Sequence, residues 1–435
     1  MCPLLFESTT LFHFLGANSS AAVLGGSTAA ALAVSWRRQL QTLAWIALSG
    51  AVATAAALAV ATGELGPFAL VVIVLGVAAL WFGYVFEWTL LRWPAALFAD
   101  LSIVVLSLRA VTRGAADGPR IAFAAQVALL VGYLGSFVAR TLVLNRDVIP
   151  FEVAQSVAAI IVGLGGAMVI GGGRLPLAVT TLALAVGCYS AAAIFVERLH
   201  SRRRNYYFYT SAGLVFALAG GAMAASSTAA GLLYAVLGVA AASAGRLSER
   251  VTYRAHGAAY LVAAVVAAGL VTHVLYGVGL PVVPGGRPSA AMIGVLALCG
   301  FAMWGLGVGA DPPRLARRVP RVIVLLLLLG GVLGATASGL VTPSAAARAW
   351  TPGLVATIRT ALLVATVLSL ALADRVWGFI EGAWLVYPLL ILTGLKFIVE
   401  DFPTGRPSTL FVGFALYGLA LIVGPRLCRR RGIGR

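Results

Sequence analysis

The fold of this chain is decided by the stretch ERLHSRRRNYY, residues 197–207, near the middle of a sequence of 435 residues. It is the densest polar run in the chain, and seven apolar segments precede it while eight follow it. Four arginines and one histidine are too polar to lie in hydrocarbon, so the stretch must form a loop at a membrane surface. This loop fixes the orientation of the segments on either side of it.

The apolar segments indicate the class of protein. Hydrophobic residues make up 61% of the chain and charged residues only 10%, against about 25% charged residues in an ordinary soluble domain. Apolar runs of about 18 residues or more recur along the chain, and each is long enough to cross roughly 30 Å of hydrocarbon as a helix. We therefore predict an all-α polytopic integral membrane helix bundle with 14–15 transmembrane helices and no soluble domain.

Fifteen segments are the predicted spans. They cover residues 11–34, 43–62, 67–88, 93–111, 121–144, 151–169, 175–196, 207–223, 228–244, 257–276, 289–308, 322–341, 353–373, 377–398 and 409–427. The N-terminal stretch 1–35 holds the weakest of them because it is rich in polar residues, and without it the number is fourteen. Residues 1–435 are thus predicted to form a single multi-pass domain, with a central cytoplasmic loop at 197–207 and a basic cytoplasmic tail at 428–435.

The distribution of arginine predicts the topology. The chain has 31 Lys and Arg residues against 14 Asp and Glu residues, a net charge of +17. With the N-terminus outside, 22 of the 31 basic residues fall on the cytoplasmic side and nine elsewhere, as the positive-inside rule requires. The predicted partners are the bilayer and its anionic headgroups at the cytoplasmic arginine loops, and not nucleic acid. We expect an integral protein of the plasma membrane, of the bacterial inner-membrane kind, with a cytoplasmic C-terminus.

Sequence motifs of soluble enzymes are absent from the chain. There is no P-loop, no GxGxxG, no GxSxG and no HExxH. The four cysteines and four histidines are dispersed, without the spacing of a metal site. We predict no catalytic residue, no metal and no cofactor, which favours a protein that is not an enzyme.

Ionisable residues and a proline inside the predicted spans are the candidate functional positions, because charge is costly in hydrocarbon. The candidates for a transport path are Asp100, Arg140, Glu152, Arg359, Glu381, Pro388, Lys396 and Glu400. Snorkelling towards headgroups is the alternative interpretation of the two arginines. Arg140 and Glu152 flank a short connector and are near enough for an ion pair. Lys396 and Glu400 are spaced i, i+4 and are expected to pair as well.

The penultimate span holds the densest group of these candidates. Pro388 lies near its centre and is expected to bend the helix and free a backbone carbonyl. Glu381, Trp384 and Pro388 are spaced i, i+3, i+7, which predicts that they share one face. This face is interpreted either as the lining of a transport path or as part of a kinked packing helix.

Three classes of function remain open from the sequence. A transporter or flippase-like permease for a small or lipid-linked substrate fits the number of spans, the short loops and the scattered charges within spans, and is the expectation. A non-catalytic structural or assembly subunit of a membrane complex fits the absence of sharp motifs. A membrane glycosyltransferase or polymerase is third, because such enzymes carry acidic residues on sizeable outer loops and the outer loops predicted here are short.

The predicted topology can be tested at two positions. In a chain without its native cysteines, Ser201→Cys in the central loop and Gly432→Cys in the tail should both react from the cytoplasmic side, because the arginine asymmetry places both segments there. The measurement is labelling with a membrane-impermeant maleimide in vesicles of defined orientation. Reaction of the two positions from opposite sides would contradict the map.

Overall fold

The computed structural model describes most of the chain, residues 2–112, 119–170, 174–198, 203–282, 286–306, 315–341 and 350–429. These residues are helical almost throughout, and no β-strand occurs among them. Much of the central loop (199–202) and the end of the basic tail (430–435) lie outside the described residues, so their predicted location stays a prediction.

Contacts within the chain define two compact units. The first unit comprises Met1–Arg174 and Cys188–Ser211, and the second unit comprises Leu175–Gly187 and Ala212–Arg435. The three boundaries between these ranges fall inside two helices, so both helices contribute residues to both units. The interpretation of the chain as one multi-pass domain stays a prediction beside this division.

The first unit is built from eight helices and two π-helical turns, together with parts of the next two helices. Its helices are α1 Cys2–Thr10, α2 Ala17–Arg38, α3 Gln41–Thr62, α4 Gly66–Val85, α5 Arg92–Thr112, α6 Pro119–Val138, α7 Pro150–Ala159 and α8 Gly165–Ile170. The π-helical turn π1, Ala139–Val143, extends α6, and π2, Ile160–Leu164, joins α7 to α8. The shared helices are α9, Arg174–Arg198, and α10, Arg203–Ala224.

The second unit holds the remaining helices. They are α11 Ser227–Leu247, α12 Val251–Ala267, α13 Leu270–Gly277, α14 Ala290–Gly305, α15 Leu315–Val341, α16 Pro352–Trp377, α17 Ile380–Lys396, α18 Phe402–Thr404 and α19 Pro407–Arg429. A third π-helical turn, π3, Phe397–Asp401, joins α17 to α18 without a break.

The chain is an all-α polytopic membrane protein, as the sequence predicts. Among the described residues, twelve helices are long and apolar enough to cross a membrane, or thirteen if one bent pair counts as a single span. Each of the fifteen predicted segments is helical over most of its length in the described part of the chain, and twelve or thirteen spans there meet the criteria of length and apolar composition. The difference arises because α14 has only 16 residues, α12 and α13 form the bent pair, and the polar α2 is not among the twelve.

Several threonine hydroxyls inside the helices are satisfied locally. The hydroxyls of Thr28, Thr54 and Thr141 each donate to the carbonyl one turn earlier, at 2.7 Å. Such back-bonding lets a hydroxyl lie in an apolar span without an unpaired donor. At the helix starts, Ser226 and Ser289 accept hydrogen bonds from backbone N–H groups three residues later, which caps α11 and α14.

The span formed by α12 and α13 is sharply broken. The two helices meet at 86° after Ala267, and the residue that begins α13 is preceded by Gly269 with a φ of +75°. This left-handed conformation suits glycine, which has no β-carbon to clash with the backbone. The break turns α13 away from the axis of α12. Near the end of α13, Tyr276 contacts a charged side chain of α16, and Gly279, just beyond α13, lies against charged side chains of α17 and π3.

Helices α13 and α15 pack backbone to backbone. A β-carbon on Gly277 would lie 2.8 Å from the Cα of Gly334, and a β-carbon on Gly334 would overlap the carbonyl group of His273. Small residues allow this close approach, which is a usual way of packing helices in membranes. The contact holds α13 in the orientation that the break gives it.

Replacing Gly334 should therefore destabilise the second unit. Gly334→Ala is expected to lower the free energy of unfolding by about 1–3 kcal/mol, because backbone atoms must shift to admit a methyl group. Gly339→Ala is the matched control on the same helix, since a β-carbon there meets no atom within 4 Å. Thermal unfolding in detergent measures both, and equal stability of the two variants would contradict the packing argument.

Candidate functional site

Five polar side chains come together inside the second unit and form what we call the charged cluster: Arg359, Thr360, Lys396, Glu400 and Asp401. The ammonium of Lys396 donates to Asp401 Oδ2 at 2.7 Å and to Thr360 Oγ1 at 2.6 Å. Thr360 in turn donates to Asp401 Oδ2 at 2.9 Å. Arg359 Nη1 donates to Glu400 Oε1 at 2.5 Å. The exposed fractions of the four charged side chains lie between 2% and 18%.

The π-helical turn explains how two acidic residues reach one lysine. In an α-helix the residue at i+4 lies nearest to residue i, whereas hydrogen bonds in a π-helix run between i and i+5. Because π3 follows Lys396 directly, Glu400 (i+4) and Asp401 (i+5) both approach its ammonium, at 3.3 Å and 2.7 Å. A regular helix would rotate Asp401 away from this position.

The ammonium of Lys396 is saturated. Besides Asp401 and Thr360 it donates to the carbonyl of Ala356 at 2.5 Å, which uses its three protons. Glu400 Oε2 lies within ion-pair distance at 3.3 Å, yet it accepts no hydrogen bond and is buried. Lys396 and Glu400 therefore attract each other through space, and the hydrogen bonds of the lysine go to the other partners.

Helix α13 contributes the wall of the charged cluster. The guanidinium carbon of Arg359 lies 3.6 Å from the centre of the Tyr276 ring, a cation–π contact. Gly279 has a φ of +90°, and a β-carbon there would meet Glu400 Oε2 at 2.5 Å and Lys396 Cγ at 2.6 Å. The chain beyond α13 is thus pressed against the cluster at a position that requires glycine.

The four charges of the cluster cancel, with two cations facing two anions. Mutual pairing offsets the desolvation penalty of each group, and the removal of any one partner leaves an uncompensated buried charge. The cluster is therefore held together by this pairing, and each of its four charges depends on the others.

A second buried ion pair lies in the first unit. Arg140, in π1, donates from Nη1 to both carboxylate oxygens of Glu152 at 2.9 Å, as the sequence predicts. Tyr84 donates to Glu152 Oε1 at 2.6 Å, and the N–H of Ile149 donates to Oε2 at 2.9 Å. Glu152 is fully buried, and the Tyr84 ring lies 4.7 Å from the guanidinium of Arg140. These contacts tie α4, α6 and α7 together.

Asp100 is buried on α5 with a neutral partner. Both of its carboxylate oxygens lie 3.0 Å from the side-chain nitrogen of Gln155, which donates to them. In the described part of the chain no basic side chain forms an ion pair with Asp100. Its inward placement and polar partner agree with the expectation that a carboxylate in a span faces protein and not lipid.

The penultimate helix differs from its predicted form. Helix α17 is continuous through Pro388, and the departure from regular geometry comes later, at π3. Glu381 is buried and faces Arg321 at 3.4 Å, whereas Trp384 and Pro388 are exposed, so the three do not line one polar face. A proline removes one N–H donor, and an outward position lets the helix accommodate this loss without a break.

The structure thus distributes the eight candidates over several places. It brings Arg359, Lys396 and Glu400 together, and separately Arg140 and Glu152. Asp100 and Glu381 each lie apart from these groups, and Pro388 belongs to none of them. In the described ranges, no three His, Cys, Asp or Glu side chains meet in the way a metal site requires.

Several residues at these places carry no charge, and the sequence analysis missed them. They are Tyr84, Gln155, Tyr276 and Thr360. A signal for two of them was present, because Gln155 follows Glu152 by one turn and Thr360 adjoins Arg359 in the sequence. Neutral polar residues within spans are common partners of charged ones.

No protein-family model matches the chain, and no curated protein or solved structure matches it. Function resides in sites more than in folds, and the charged cluster is the candidate site of this chain.

Neutralisation should affect stability differently at Glu152 and at Asp100, the two buried carboxylates described in the first unit. Glu152→Gln leaves Arg140 without its anion and is expected to destabilise the chain by about 3 kcal/mol. Asp100→Asn removes a carboxylate that no cation faces, and we expect a change below about 1 kcal/mol. Thermal unfolding of the two variants in detergent measures the contrast. An equal loss of stability would contradict the different roles of the two residues.

Proposed function

We propose that the chain is a permease of the plasma membrane that moves a small or lipid-linked substrate, with the charged cluster as its substrate or coupling-ion site. The observation that carries the proposal is the meeting of three buried charges and the partly buried Glu400 with a π-helical turn and a broken span in the second unit. The predicted orientation, with a cytoplasmic C-terminus, belongs to the proposal.

The depth of the cluster supports this role. Arg359 lies seven residues into α16, about 10 Å along its axis, and Lys396 lies eight residues before the end of the span Ile380–Thr404, about 12 Å. Charges so far inside apolar segments are expensive, and helix packing alone does not require them. Their presence is explained if they bind or move something.

The backbone around the cluster supports it as well. Broken helices and irregular turns are tolerated at membrane depth where they line protein or a water-filled path. Transporters use such helix ends to bind ions and substrates near the middle of the membrane. Here Gly279, just beyond α13, lies against Lys396 and Glu400, and the turn π3 begins directly after Lys396 and contains Glu400.

The pairing within the cluster provides a way to switch. A ligand shifts a conformational equilibrium only through different interactions with the two states. A proton or cation on Glu400 would weaken its contact with Arg359, which would release α13 through the cation–π contact with Tyr276. A closed cluster and an opened one would then be the two states of the transport cycle.

The proposal can be tested without knowledge of the substrate. A permease must admit water to the cluster, so Thr360→Cys, in a chain otherwise free of cysteine, should react with a water-soluble maleimide although Thr360 is fully buried in the closed form. The control is a chain that keeps only Cys299, which is equally buried but lies on α14 outside the cluster. Labelling at position 360 should be at least several times faster than at position 299.

Thr357→Cys provides a second variant in case Thr360→Cys disturbs the cluster. Its hydroxyl donates only to the Gly353 carbonyl of its own helix, one turn from Thr360. If both positions in folded protein react as slowly as Cys299, the cluster never opens to water. That result would reject the permease and favour the role of a structural or assembly subunit.

A further inference from the structure

A groove runs along the first unit between α2 and α4. Its volume is about 600 Å³, within the range of about 300–1,000 Å³ that is usual for ligand pockets. Small residues of α2, among them Gly25, Ala29 and Ala33, form one wall, and Val71 and Val74 of α4 belong to the other. Arg37 is the only charged side chain that lines it. The groove is therefore apolar along its length and basic at one end.

Helices α2 and α4 run side by side in the same direction. A β-carbon on Gly25 would lie 3.7 Å from Val71, and eleven residues later the ring of Trp36 lies 5.1 Å from that of Phe82. The lining residues of α4 extend from Leu70 to Phe82, about 18 Å along the axis. One leaflet contributes about 15 Å, half of the roughly 30 Å hydrocarbon core. The groove thus has about the length of a lipid chain in one leaflet.

The basic end of the groove lies level with the end of a membrane span. Trp36 packs edge-on against Phe82 and Phe86, and α4 ends at Val85. Arg37 follows Trp36 in the last turn of α2 and is exposed, and within the described part of the chain it forms no hydrogen bond or ion pair. A tryptophan beside an arginine at a span end is typical of the headgroup level.

We propose that this groove binds one acyl chain of an anionic phospholipid, with the lipid phosphate on Arg37. Charge complementarity selects this occupant, because an exposed arginine without a partner lies where a headgroup phosphate would be and forms charge-assisted, bidentate bonds with phosphate. The apolar walls and the length of the groove match the chain below that headgroup. The proposal concerns the first unit alone and is independent of a transport function for the charged cluster.

The test uses the fluorescence of Trp36 in the full-length chain. Phosphatidylglycerol with brominated acyl chains is titrated into the protein in detergent, and phosphatidylcholine with the same chains serves as the comparison. The Trp36 signal is the difference from Trp36→Phe, since the chain has nine tryptophans. We expect quenching of this signal, with an apparent affinity about fivefold higher for phosphatidylglycerol, as one lysine or arginine near a membrane surface provides.

Two matched pairs of variants locate the site. Arg37→Gln should abolish the preference for phosphatidylglycerol, whereas Arg38→Gln, at an equally exposed neighbour outside the groove, should retain it. Ala29→Phe fills the groove and should reduce quenching by both lipids, whereas Ala30→Phe lies outside it and should not.

Three results would overturn the proposal. The first is equal affinity for the two lipids, and the second is an equal effect of Arg37→Gln and Arg38→Gln. The third is the absence of quenching, which would favour a protein helix as the occupant of the groove. The two arginine variants suffice if Ala29→Phe fails to fold, because neither arginine packs in the interior.

Discussion

In a span surrounded by hydrocarbon, each polar group must find its partner within the protein, because no water is at hand to replace it. The structure meets this constraint at three levels. Threonine hydroxyls bond to their own helices, Asp100 uses the amide of Gln155, and charged groups pair across helices. The last of these has the widest effect, since each pair decides which helices approach one another. Glu152 draws α4 and α6 to the start of α7 in this way.

The charged cluster illustrates how tightly such a constraint can be satisfied. The ammonium of Lys396 donates all three of its protons in hydrogen bonds. The π-helical turn π3 brings Glu400 and Asp401 close to it. The Nε of Arg359 and Oε2 of Glu400 remain buried without a hydrogen bond. Unsatisfied buried groups weaken a structure, and a membrane interior makes them more costly. The cluster therefore keeps two unsatisfied buried atoms beside the complete pairing of Lys396.

The sequence predicts the helices well because their signal is local. A run of apolar residues forms a helix wherever it lies, and the pair Arg140–Glu152 is visible because a short connector joins its two segments. Partners that are distant in sequence are not visible in this way. Glu381 meets Arg321, which lies one residue before the predicted span 322–341, and Tyr276 meets Arg359 after α12 breaks before α13. Pro388 shows the opposite case. A proline within a span is a strong local signal for a break, yet α17 continues through Pro388, which faces outward.

The π-helical turns π1, π2 and π3, which lie in the described part of the chain, have a consequence for the evolution of this protein. Each wide turn holds about one residue more than an α-helical turn, so the removal of a single residue would restore a regular helix and leave the residues beyond it in almost the same orientation. At π3 such a deletion between Lys396 and Glu400 would move Glu400 and Asp401 from i+4 and i+5 to i+3 and i+4, and so change how each of them faces the ammonium of Lys396. We therefore expect homologous chains that lack the added residue at π3 to keep the direction of the final helix but to pair Lys396 differently.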